Sequence, residues 1–139
     1  MDLIFQELIH LFLSLLAGSA VYYFYGNRQV FIWALISGFF IDTDHWFDNW
    51  MAYGPNFDLA KFFAGDYFAI NGTIFVPLHG WEYVVILALL GIGIVKYRPI
   101  FYALALSLFL HLSFDVFSNN APFEGYSVLH RIFMVLRAY

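Results

Sequence analysis

The 139-residue chain contains no cysteine. Disulfides, thiolate nucleophiles and cysteine-ligated zinc are therefore excluded, and redox chemistry leaves no clue to compartment. Charge is nearly as scarce. Only 12% of the residues are Asp, Glu, Lys or Arg, about half the roughly 25% of a soluble domain. Basic residues are the scarcer kind, 6 against 10 acidic ones. That argues against a nucleic-acid partner, which needs clustered cations to displace counterions. What the chain has instead is apolar: 63% hydrophobic, 23% aromatic, with a mean hydropathy of +0.74. A soluble domain of this size would have to expose part of that surface, whereas a bilayer accepts it as solvent. The length suits one domain, residues 1–139.

Four apolar runs organise the chain. The first extends from Leu3 to Tyr25 and carries Glu7 and His10. Its acidic start lacks the positive region of a signal peptide, so it reads as a retained helix. Gly26–Asn27 closes it. The second run, Val30–Ile41, falls short of the roughly 17–25 residues of a span. It reaches that length only by taking in Asp42, Asp44 and His45. The third, Tyr83–Val95, spans only if it includes His79 and Glu82. The fourth opens at Pro99, a favoured first-turn position, and carries His111 and Asp115. Runs of this length also suit the buried core of a soluble protein; composition tips the reading to membrane. The expected fold is all-α, an integral membrane four-helix bundle with helices about 3–25, 29–46, 77–96 and 99–118. An aromatic-rich interfacial segment, 47–75, and a short amphipathic helix, 125–138, complete it.

Antiparallel spans would bring the ionisable residues together. One face of the bundle would hold both termini, the 47–75 segment, His10, Asp42, Asp44, His45, His79, Glu82, His111 and Asp115. The opposite halves of the helices offer no such groups. Asp42/His45 and His79/Glu82 are i,i+3 pairs and His111/Asp115 is an i,i+4 pair, so each shares a helix face. Imidazoles and carboxylates facing the interior of a four-helix bundle make a familiar metal-site architecture. Charge at membrane depth is costly and usually marks a site; a divalent cation neutralises it. Asp44 projects about 200° from Asp42 on an ideal helix, so it caps, contacts the loop or joins the site. Asp48 reads as interfacial, His130 as a surface residue, and Glu7 as a group that orients His10.

Gly38–Phe39–Phe40–Ile41–Asp42–Thr43–Asp44–His45, Leu78–His79–Gly80–Trp81–Glu82 and His111–Leu112–Ser113–Phe114–Asp115 carry a resemblance. They resemble the motif series of small prokaryotic inner-membrane proteins grouped as membrane-bound metal-dependent hydrolases, the family whose founding member is also called LexA-binding. His10 completes the pattern, which covers about residues 8–118. Ile41 stands where the family usually has Pro, and the Arg of its His-Arg element has no counterpart at 78–82. The resemblance implies a hydrolase of the prokaryotic inner membrane.

The residues themselves point to a divalent metal, zinc first with iron or manganese as alternatives, in one or two ions. The ligand candidates are His10, Asp42, Asp44, His45, His79, Glu82, His111 and Asp115. Glu82 is a ligand or the general base, and Asp44 is the second candidate for that base. A site at interfacial depth favours an amphiphilic substrate among the membrane lipids, a phospholipid or other lipid phosphate or ester, cleaved by metal-activated water. A divalent-cation or proton transporter and a non-catalytic metal-stabilised scaffold are the other two readings. Arg28, Lys96 and Arg98 on one side balance Lys61, Arg131 and Arg137 on the other. The short turns holding the first three lean to the cytoplasm, which puts the site on the extracytoplasmic face.

Overall fold

A computed structural model describes residues 3–56, 58–65 and 76–137 of the chain. The described residues form helices and no strand. We label the α-helices α1 (Leu3–Tyr25), α2 (Val30–Gly38), α3 (His45–Tyr53), α4 (Leu59–Ala64), α5 (Trp81–Gly93), α6 (Arg98–Ser118) and α7 (Val128–Arg137). Single 3-10 turns join several of them, at Phe40–Asp44, Val95–Tyr97 and Phe123–Tyr126. α1 ends where expected, at Gly26, whose φ of +66° is reached without strain only by glycine.

α6 is the hub. It packs against α1, α2 and α5, and α1 also packs against α2. The facing surfaces are made of small residues. Ala17, Val21, Val30, Ala34 and Ala103 form one buried cluster, and Ile41, Leu108 and Leu112 form another under Trp81 and Tyr83. Small side chains let backbones approach closely, and hydroxyls then bond across the gap. Ser37 Oγ donates to Leu104 O at 2.9 Å, and Ser107 Oγ donates to Ala34 O at 2.7 Å. The two bonds run in opposite directions between α2 and α6. Ser107→Ala is expected to cost about 1 kcal/mol, because Ala34 O keeps its own helical partner. Reversible unfolding in mixed micelles reads that loss, with metal content unchanged.

Two expectations need correction. The second run is not one helix over 29–46. α2 stops at Gly38, tightens into a 3-10 turn over Phe40–Asp44, and resumes as α3. The third does not begin at 77: Val76–Gly80 is irregular, and α5 covers only Trp81–Gly93. Two helical stretches, Leu3–Tyr25 and Val95–Ser118, are long and apolar enough to cross a membrane. Within the 47–75 segment, α3 and α4 are helical; residues 57 and 66–75 lie outside the described part. Asp58 caps α4 by accepting from Ala60 N and Lys61 N. The expected C-terminal helix is present as α7, with Leu129, Ile132 and Met134 exposed on its outer side.

Candidate metal centre

The site forms where the 3-10 turn, the 76–80 loop, α1 and α6 meet. His10 comes from α1, His111 and Asp115 from α6, Asp42 and His45 from the turn and the start of α3, and His79 from the loop. His79, His111 and His10 are almost fully buried, and Asp115 is 5% exposed.

The 3-10 turn explains how two nearby aspartates serve one histidine. In that geometry residues i and i+3 eclipse, which stacks Asp42 on His45; His45 Nε2 lies 3.4 Å from Asp42 Oδ1. Asp44 then points to a different side. The two carboxylates grip opposite edges of the His79 ring. Asp42 Oδ1 is 3.1 Å from Nε2, and Asp44 Oδ2 is 3.1 Å from Nδ1.

A carboxylate or carbonyl only accepts, so His79 can donate at either nitrogen, to Asp44 Oδ2 or to Asp42 Oδ1; with its proton on Nδ1, it donates to Asp44 Oδ2. His111 Nδ1–H likewise donates to Gly38 O at 2.9 Å. In the neutral rings both Nε2 atoms then carry lone pairs, and they face each other at 3.0 Å. Two carboxylates close on the same spot. Asp42 Oδ1 is 3.5 Å from His111 Nε2; Asp115 Oδ2 is 3.1 Å from His111 Nε2 and 3.7 Å from His79 Nε2. On the far side of Asp115, Oδ1 lies 3.2 Å from His10 Nε2, whose ring stacks on His111 at 3.8 Å.

Lone pairs converging in this way call for a cation. A proton bridges one pair of atoms at a time, and two imidazolium N–H groups at 3.0 Å would repel. Ligand atoms about 2.0–2.1 Å from a tetrahedral ion sit about 3.3 Å apart, and the separations here, 3.0–3.7 Å, bracket that value. Three overlapping sets offer ligand atoms within 4.8 Å of one another: His10/Asp42/His111, Asp42/His45/His79 and His79/His111/Asp115. Asp42 Oδ2 and His10 Nδ1 are buried and have no hydrogen-bond partner among the described residues. Nitrogen and carboxylate oxygen donors of this kind fit a divalent metal, and the residues could hold one. The hydrogen bonds on the outer ring nitrogens are the usual device for fixing a metal-binding histidine.

Six of the eight expected ligands are therefore together: His10, Asp42, His45, His79, His111 and Asp115. Asp44 stands one shell out. Its Oδ2 also accepts from Leu78 N at 2.9 Å, so it orients His79 and its loop, while Oδ1 is buried without a hydrogen-bond partner among the described residues. Glu82 is not brought into the cluster. Ser127 Oγ, Val128 N and Leu129 N all donate to its carboxylate, which caps α7. The i,i+3 pairing with His79 fails because the helix starts only at Trp81.

Three further residues escaped the sequence reading. Asp48 is buried, not interfacial; its Oδ2 lies 3.8 Å from His45 Nδ1, and the i,i+3 spacing was the available signal. Tyr126 belongs to the core beside Leu112, its ring 6.4 Å from that of His79, and its hydroxyl accepts from Asn119 Nδ2. Burial, with nearby Asp115 adding to it, pushes that hydroxyl above its ordinary range, so it stays protonated. Arg131 turns inward. Its guanidinium donates to Val76 O at 2.8 Å and His79 O at 2.6 Å. His130 is exposed, as expected.

The chain matches no family model, no curated protein and no solved structure.

Proposed function

We propose that the protein is a membrane-embedded, metal-dependent hydrolase of amphiphilic phosphoesters or esters. The observation that carries this reading is the meeting of His79 Nε2, His111 Nε2, Asp42 Oδ1 and Asp115 Oδ2, with each outer ring nitrogen within hydrogen-bond distance of an acceptor. Zinc is the first expectation, because imidazole and carboxylate ligands suit it. When bound, such an ion supplies a water acidified to neutral pH and a Lewis acid for a developing oxyanion.

The chain's own residues do the rest. His10, His45, His79 and His111 with Asp42 and Asp115 form the ligand set. Asp44 and Gly38 O hold two of the rings in register. Glu7 lies one turn from His10 on the same face of α1, within electrostatic reach of Asp42, His45, His111 and Asp115.

Membrane embedding rests on two long apolar helices and on what the bundle shows outward. Phe5, Leu8, Phe12, Leu16, Ile86 and Leu89 are all about half exposed or more. Large apolar side chains exposed in such number are unusual on a soluble monomer. α1 supplies His10 to the cluster and packs on α2 and α6, which supports its retention as part of the folded protein. A transporter is disfavoured, because the core beyond the cluster is Ala17, Val21, Val30, Ala34 and Ala103, with no ionisable group among these residues.

The test is a panel of lipid phosphates and lipid esters in mixed micelles. Zinc-loaded protein is expected to release a headgroup or acyl product from one class, and chelator or Asp42→Ala to abolish the release. Metal held tightly with no turnover on any panel member would overturn the hydrolase reading in favour of a metal-stabilised scaffold.

A further inference from the structure

His79 differs from its neighbours in how it is held. His10, His111 and Asp115 stand on long helices, and Asp42 and His45 on a helical junction, whereas His79 sits in the irregular stretch between Val76 and α5. A loop does not fix a ring by its own hydrogen-bond ladder. This one is gripped from two sides by opposite charges.

Asp44 takes the loop's donors, the Leu78 N–H and the His79 Nδ1–H. Arg131 takes its acceptors, Val76 O and His79 O, with two nitrogens of one planar fork. The two carbonyls are three residues apart, so a single guanidinium spans a turn that the His79 N–H also closes on Val76 O at 3.3 Å. Lysine offers a point charge and no such fork.

The seat of Arg131 is itself built. Glu82 accepts three bonds at the start of α7, from Ser127 Oγ, Val128 N and Leu129 N. Gly80, next to the ligand, lets Val128 approach so closely that a Cβ there would stand 2.6 Å from Val128 Cγ2. Arg131 lies one turn beyond. The C-terminal helix is thus fastened to the segment that carries His79 at three points: Glu82, Gly80 and Arg131.

We infer that Arg131 is a positioning residue for the metal ligand His79, so that α7, through Arg131 and its Glu82 cap, sets the affinity of the centre for metal. This rests on the metal-centre reading above. Outer groups that orient a ligand typically change metal affinity 10–100-fold when removed. Arg131 touches neither the ligand atoms nor the reacting position, so its loss removes no ligand from the set.

The test uses full-length protein in detergent, stripped of metal and titrated with Co2+, whose visible absorption reports coordination. Arg131→Gln is expected to weaken Co2+ binding about 10–100-fold. Arg131→Lys recovers part of the loss, and His130→Gln, at an exposed neighbour, changes nothing. Arg131→Gln loses two hydrogen bonds, so its metal-free melting point is expected to fall slightly, but the stabilisation added by Co2+ is expected to shrink as well, which a merely structural role would not bring about. Wild-type affinity in Arg131→Gln overturns the inference. So does a lowered metal-free melting point with the stabilisation added by Co2+ unchanged. Wild-type protein that binds no Co2+ overturns the metal-centre reading itself, an outcome distinct from either.

Discussion

A chelator is expected to lower the unfolding midpoint of the wild-type protein, and the Asp42→Ala/His79→Ala protein is expected to melt alike with and without it. The centre joins α1, the 3-10 turn, the 76–80 loop and α6, which are distant in sequence. A ligand that binds only the folded state stabilises it by about 2.7 kcal/mol at a hundredfold excess over its dissociation constant, and by about 4.1 at a thousandfold. The short contacts of Asp42 and Asp115 to the imidazoles remain in the stripped protein and offset part of the loss. The net expectation is a drop of several degrees, read by circular dichroism in detergent. The double variant lacks two ligands shared among the three sets, so it has no metal to lose. A wild-type midpoint indifferent to chelator, after purification without one, would contradict this.

Gly38→Ala is expected to be more damaging than its single methyl suggests. A Cβ at Gly38 would collide with Ser107 Oγ and Ser14 Oγ, where α1, α2 and α6 meet. Overpacking of this kind costs about 1–3 kcal/mol. The same residue's carbonyl holds His111 Nδ1, so the shift that relieves the collision also turns a ligand. Lower stability and weaker metal binding should appear together. Gly93→Ala is the control. Nothing lies within 4 Å of a Cβ there, and alanine is favoured over glycine in a helix by up to about 1 kcal/mol. The comparison is made by melting curves and Co2+ titration of both variants. Equal behaviour would mean that close packing at Gly38 does not govern the site.

Spacing along a helix was the readable part of this protein. α1 has the expected bounds, and His111 and Asp115, four apart on α6, do meet at one point. Asp42 and His45 meet as well, though on a 3-10 turn and not an α-helix. The change of helix type decides the role of Asp44. At 100° per residue it would point away from Asp42's partners, but the tighter turn sends it to the other edge of the same imidazole. Nothing in the composition of Phe40–Asp44 announces that tightening. Glu82 shows the opposite limit. Its spacing from His79 suggested a shared face, yet spacing carries meaning only inside a helix, and α5 begins between the two. Arg131 and Tyr126 escaped because their role depends on the chain after α6 folding back over the 76–80 loop. That is a tertiary fact with no local period. The small-residue faces of α2 and α6 fall between these cases: Ala34, Ser37, Gly38, Ala103 and Ser107 lie at helical intervals, but only their packing shows which of them touch.

The central claim is that the buried histidines and aspartates hold a divalent metal. Elemental analysis by inductively coupled plasma mass spectrometry tests it most directly, on detergent-purified protein prepared without chelator, beside the Asp42→Ala/His79→Ala variant. One or two equivalents of a divalent transition metal per wild-type chain, and a small fraction of that in the variant, is the expected result. Wild-type protein that carries no stoichiometric metal, and takes up none from micromolar zinc, manganese or iron, would contradict it.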